Sequence, residues 1–159
     1  MIKVTVVALG KLKEKYLADA IKEYSKRLSR YCSLEITELE PVRLPDNPSQ
    51  SEINNALEKE ADMIFKKIPA NSKVISLCVE GKGMDSPEFA EKIEDFSNMG
   101  ENITFIIGSS YGLSQNVKKR TDIRLSLSKM TFPHQLFRVM LLEQIYRAFK
   151  INEGSAYHK

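Results

Sequence analysis

Five short stretches dense in valine, isoleucine and leucine alternate with segments whose apolar residues recur every three or four positions. That alternation constrains the chain more than any other feature. Residues 2–9 (Ile-Lys-Val-Thr-Val-Val-Ala-Leu), 73–79 and 103–107 (Ile-Thr-Phe-Ile-Ile) are nearly continuous apolar runs, the pattern of strands covered on both faces in a parallel sheet. Residues 33–40 alternate strictly instead, which predicts a strand with one polar face, near an edge. A weaker strand is expected over 122–127.

Helix signals lie between them. Leu17, Ala20, Ile21, Tyr24 and Leu28 share one face of a helix over 14–31, and Ser49 with Glu52 forms a capping-box pattern opening a helix to Lys67. Ser86 as N-cap with Pro87 at the first turn starts a helix to Met99, stopped by Gly100. A short helix follows from Ser114, and a long one runs from Phe132 to Ile151. Strand and helix in strict succession imply an α/β fold, a mostly parallel sheet flanked by helices. No repeat or linker divides the 159 residues, so one domain over 1–159 is expected.

Composition narrows the class further. At 42% hydrophobic and 28% charged residues, the chain is neither disordered nor fibrous. It has no run of about 18 apolar residues and no basic leader before its first strand, so neither a membrane helix nor a signal peptide is expected. Cys32 and Cys78 lie beside or inside apolar runs, lack a CxxC pattern and read as buried free thiols of a cytoplasmic protein. The net charge of +3 conceals an asymmetry: residues 1–30 carry eight Lys/Arg against three acids, and 115–159 nine against three, whereas 31–114 carry seven against fifteen. Should the two ends meet, one face would attract a polyanion; the alternative is a set of solvated helix faces.

Familiar ligand motifs are missing. There is no GxGxxG, no GxxxxGK[ST] and no GxSxG elbow, and two scattered histidines, His134 and His158, suggest no metal site. In an open parallel sheet, ligands bind beyond the carboxyl ends of the strands. Three loops there, around Leu77–Gly83, Gly108–Gly112 and Leu127–Thr131, would form one pocket if their strands were neighbours.

An ordered set of segments adds to this. Ala8-Leu-Gly-Lys-Leu-Lys13, Glu80-Gly-Lys82, Gly108-Ser-Ser-Tyr-Gly112, Ser126-Leu-Ser-Lys-Met-Thr-Phe-Pro-His-Gln135, Arg138, Glu143-Gln-Ile-Tyr-Arg-Ala-Phe149 and the tail Tyr157-His158-Lys159 together resemble the RlmH family across the whole chain. These are SPOUT-class methyltransferases acting on N3 of a pseudouridine in 23S ribosomal RNA. The resemblance implies a C-terminal trefoil knot, which general topology rules would not suggest. It also implies S-adenosylmethionine as cofactor, held by Leu77, Gly108 and the loop Leu127, Ser128, Lys129, Met130, Thr131 and Phe132. One departure stands out: the family loop usually opens with two glycines, and Ser109 occupies the second place here. A serine forced to positive φ would be strained.

The resemblance further implies a homodimer working on the assembled ribosome. Leu136, Phe137, Val139, Met140, Leu141, Ile145 and Phe149 cover more than one face of the last helix, which fits a subunit interface. Arg138, Arg147, Lys150 and Lys159 are candidate phosphate contacts. Methylating an imide nitrogen requires its proton to leave, so a base or an anion stabiliser is needed. His158 in the tail is the candidate, because imidazole exchanges protons near neutrality. Two other classes remain at this stage: a ribosome-binding factor that takes no cofactor, and a small-molecule enzyme with no RNA affinity.

Overall fold

Strand β1 (Ile2–Leu9) sends its side chains alternately into two apolar layers: Val4, Val6 and Ala8 enter one, Val7 and Leu9 the other, none more than 4% exposed. This is why its sequence carries no polar face. The computed structural model, which describes residues 1–159, places β1 inside a five-stranded sheet ordered β2-β1-β4-β3-β5. The other strands are β2 (Cys32–Leu39), β3 (Ser72–Gly83), β4 (Asn102–Ile107) and β5 (Ile123–Ser126). All four pairings are parallel. The edge position expected from the alternation in β2 is its actual place.

Helices α1 (Lys15–Leu28), α3 (Ser86–Asn98) and α5 (His134–Asn152) cover one face, with α5 between the other two. Helices α2 (Gln50–Phe65) and α4 (Gln115–Arg120) cover the opposite face through Ala61, Ile64 and Val117. Each fully buried Val, Leu or Ile contributes roughly 1.5–3 kcal/mol relative to exposure. Such residues make up most of both layers, with Phe89, Phe96 and Phe105 adding to the larger one.

Local signals decide the element ends. Ser49 forms the expected capping box with Glu52. The start of α3 differs from expectation: Asp85, not Ser86, is the N-cap, and it makes its own capping box with Glu88. A carboxylate accepts the free N–H groups of a first turn at least as well as a serine hydroxyl, and Ser86 instead donates to Gln144 at 2.8 Å. Strand β3 also runs beyond Val79 to Gly83, because it resumes pairing with β5 after an irregularity between Leu77 and Lys82. Pro133 stands just before α5 as its N-cap, so the helix begins at His134 rather than Phe132.

The packing of α1 on α5 joins the two basic ends of the chain. Lys22, Lys26 and Arg30 of that side are exposed.

Candidate functional site

The order β4-β3-β5 sets three strand ends side by side, with β3 in the middle. The loops leaving β4 and β5, together with the stretch of β3 that parts from β5 between Leu77 and Lys82, enclose an open pocket of about 310 Å³. The loop expected around Leu77–Gly83 is part of strand β3 itself, because the strand resumes pairing after the irregularity. Leu77, Gly108, Leu127, Ser128, Thr131 and Phe132 all line it. Lys129 and Met130 do not: both are exposed, Met130 at 73%.

Each loop owes its shape to a specific contact. A β-carbon on Gly108 would stand 2.4 Å from the carbonyl oxygen of Gly112, so this position must be glycine for the loop to close on itself. The 109–112 turn is sealed by the Gly112 N–H donating to the Ser109 carbonyl at 2.9 Å, and Gly112 takes φ +86°. Ser109 is not in the positive-φ region, so the serine is unstrained. Between Leu77 and Lys82, β3 departs from β5 and returns. Gly81 allows the return, since a β-carbon there would meet the Arg124 and Leu125 backbone at 2.8 Å. In the third loop, Ser126 Oγ donates to the Ser128 carbonyl at 3.0 Å, and the Met130 N–H donates to Ser128 Oγ at 3.0 Å. The loop is therefore braced from within while its inner side chains face the pocket.

The pocket is apolar toward its floor, where Ile107, Leu113 and Phe137 join Leu77 and Leu127, and charged at its rim. Lys118 Nζ donates to Glu80 Oε1. That bond, helped by a backbone hydrogen bond, holds the Glu80 carboxyl below the ordinary carboxylate range. Lys118 escaped sequence reasoning because nothing in its spacing predicts that α4 turns it back toward β3. No group of three or more His, Cys, Asp or Glu side chains is poised to hold a metal ion.

The basic residues of α5 are committed internally. Arg138 is 2% exposed, so the expected phosphate contact is corrected: its guanidinium donates to Glu38 Oε2 at 2.6 Å and to the Gly10 carbonyl at 3.0 Å. Arg147 binds Glu143 at 2.5 Å and lies over the Tyr157 ring at 4.8 Å. Lys150 binds Glu153 at 2.5 Å and stands 3.4 Å from the Tyr31 hydroxyl. Lys159 is exposed.

The tail folds back along α5. Tyr157 packs edge-on against Tyr146 at 5.1 Å, which leaves His158 exposed with Nδ1 3.2 Å from Arg147 Nη1. Arginine only donates, so Nδ1 is the acceptor and the ring proton resides on Nε2. His158 lines a second cleft with Met140, Glu143 and Gln144, and that cleft shares Leu125 and Leu127 with the first pocket.

The chain matches the family described as "Predicted SPOUT methyltransferase" over residues 2–158. It is 57% identical over 157 residues to "Ribosomal RNA large subunit methyltransferase H 1" of Clostridium perfringens, covering 98% of this chain and 99% of that one. It is 53% identical, with the same coverage, to proteins named "Ribosomal RNA large subunit methyltransferase H" in Clostridium kluyveri and Clostridium tetani. A parallel sheet whose pocket opens beyond β4, β3 and β5, with these full-length matches, places the chain in the SPOUT methyltransferase family.

Proposed function

We propose that this protein transfers a methyl group from S-adenosylmethionine to N3 of a pseudouridine in 23S ribosomal RNA, acting as a cytoplasmic homodimer on the assembled ribosome. The observation that carries the reading is the pocket formed beyond three adjacent strands, by the loops after β4 and β5 and the irregular stretch of β3, in a chain of this family. Its lining suits the cofactor. Ile107, Leu113 and Leu127 offer an apolar bed for a purine, loop backbone can satisfy the base edge, and the Lys118–Glu80 rim suits an amino-acid end bearing both charges. The cofactor supplies an electrophilic methyl group on a sulfonium.

The chain's own residues have two tasks. They hold the nucleobase in line, which accounts for a large share of the rate when two reactants are fixed together. They also stabilise the imide anion that forms as N3 gives its proton to solvent water. With Nδ1 accepting from Arg147, His158 presents Nε2–H, a donor suited to a developing imide oxygen. The tail thus acts as anion stabiliser rather than base. Leu136, Phe137, Val139 and Met140 of α5 remain only partly covered by their own chain, and a second copy would bury them. A trefoil crossing of the segment after β5 follows from the same family reading.

Titration with S-adenosylhomocysteine tests this. One site per chain is expected, together with a scattering mass of two 18.1 kDa chains. Ligand at 100 times its Kd adds about 2.7 kcal/mol, which raises Tm by roughly 5–10 °C for a chain of this size. No heat and no shift would overturn the enzymatic reading; a monomer would overturn the dimer.

A further inference from the structure

Glu60 is a carboxylate on the inner side of α2, 4% exposed, with no basic partner. Its two oxygens are used separately. Oε1 accepts from Ser109 Oγ at 3.1 Å, and Oε2 accepts from the Val42 N–H at 2.9 Å. Ser109 immediately follows Gly108 and is itself a wall of the pocket. A small cavity of about 200 Å³, lined by Val42, Leu57, Glu60 and Tyr111, lies on its other side. So the loop that must accept a cofactor has space behind it, and one side-chain hydrogen bond crosses from the rigid helix to the loop.

A buried carboxylate is costly to keep without a salt bridge. Packing does not demand one here, since Ala61 and Ile64 of the same helix fill the apolar layer. Two stated partners at hydrogen-bond distance account for its presence. Without the Ser109 hydroxyl, the loop would keep its backbone closure between Ser109 and Gly112 and the packing of Leu113 against Ala61 and Ile64 of α2, but no side-chain hydrogen bond would tie its Gly108 end to that helix.

We infer that Glu60 and Ser109 are positioning residues: their hydrogen bond anchors the Gly108–Gly112 loop against the cavity behind it and so sets the affinity for the methyl donor. This rests on the proposed function of the pocket. The same bond gives the serine at 109 a purpose that a second glycine could not serve, because glycine offers no side-chain donor to Glu60.

The test is a double-mutant cycle read by S-adenosylhomocysteine affinity, with thermal stability followed in parallel. The wild-type titration separates the two levels: a wild-type protein that binds no ligand refutes the pocket's function, whereas the inference is judged on a binding wild type. Ser109→Ala and Glu60→Ala should each weaken binding about tenfold, and the double variant should be no weaker than either single one. Glu60→Gln should bind within about threefold of wild type, because its amide oxygen can accept from Val42 and its NH₂ can donate to the Ser109 hydroxyl. Ser109→Ala leaves the helix intact, so it reports even if Glu60→Ala folds poorly. In turnover the effect should fall on KM for the methyl donor, with kcat little changed. Unaltered affinity in Ser109→Ala, additive losses in the double variant, or Glu60→Gln as weak as Glu60→Ala would each overturn the inference.

Discussion

Arg138 Nη1 donates to Glu38 Oε2 at 2.6 Å, across 100 positions of sequence, and so fastens the end of edge strand β2 to the first turns of α5. Nη2 of the same guanidinium holds the Gly10 carbonyl at 3.0 Å, and Glu38 Oε2 also accepts from the Leu12 N–H at 3.1 Å. The loop after β1 is completed by Lys13 N–H donating to Gln135 Oε1 at 3.0 Å. A buried cation thus closes the carboxyl end of β1 and β2 instead of reaching for RNA.

The two halves of this pair are unequal. The Arg138 side chain is 3% exposed and that of Glu38 37%. Breaking a buried pair costs about 3–5 kcal/mol when it strands a charge. Glu38→Ala strands a buried guanidinium and should approach the lower end of that range, about 3 kcal/mol. Arg138→Met leaves a carboxylate that water already reaches, and about 2 kcal/mol is expected. Urea unfolding of both variants checks the order; an equal or reversed ranking would show that the guanidinium is hydrated.

Gly108→Ala is expected to do more than block a ligand. Its β-carbon would meet the Gly112 backbone at 2.4 and 2.8 Å, and backbone atoms cannot rotate away as a side chain can. The loop must shift, so S-adenosylhomocysteine affinity should fall at least tenfold and stability by about 1–3 kcal/mol, the usual cost of overpacking. Calorimetry and denaturant unfolding give both numbers. A variant with wild-type affinity would remove the loop from the site.

The two thiols should separate cleanly. Cys32 is 1% exposed, and burial pushes its thiol up to about 11 from 9.0. Cys78, expected to be buried as well, is only half-buried, because it lies where β3 parts from β5 and lines the pocket. At pH 8 a thiol reagent should modify one cysteine per native chain, Cys78, and S-adenosylhomocysteine should slow it. Above pH 9 the unfolded chain releases the Cys32 proton while the folded chain keeps it. That contribution to stability is therefore complete below 9 and lost as the pH rises toward 11. Peptide mapping that finds Cys32 modified as fast as Cys78 contradicts this assignment.

Much of this arrangement was legible in the chain before any coordinates. Apolar runs at 2–9, 73–79 and 103–107 identify interior strands because burial on both faces suppresses alternation. The alternating 33–40 marks an edge for the opposite reason. Three loops at strand ends announce a pocket only if β3 lies between β4 and β5, and adjacency of strands is a long-range property that no local pattern encodes. Basic side chains were the least legible. Arg138 and Lys118 look like any helix-borne cations, and only tertiary packing reveals that one is buried against Glu38 and the other turned onto Glu80. Glu60 was silent too, since a helix with several acids gives no sign of which one faces inward.

The tail offers a test of roles within the proposed chemistry. Deleting residues 157–159 should leave S-adenosylhomocysteine binding unchanged and slow methyl transfer about 10²-fold, the scale of a lost acid–base or anion-stabilising group. Because His158 presents Nε2–H while Arg147 occupies Nδ1, His158→Asn, which keeps a donor amide, should recover part of the rate that His158→Ala loses. Single-turnover measurements distinguish these outcomes. Asn as slow as Ala would favour proton abstraction by the imidazole, and a full-rate deletion would give the tail no part in catalysis.

The most direct test of the whole account is mass spectrometry of 23S ribosomal RNA, comparing cells with and without this protein. One methyl group at N3 of a single pseudouridine should vanish in its absence, and the purified protein with S-adenosylmethionine should restore it on assembled ribosomes. An unchanged modification pattern, or a methyl lost from another nucleotide or another atom, would contradict the assignment.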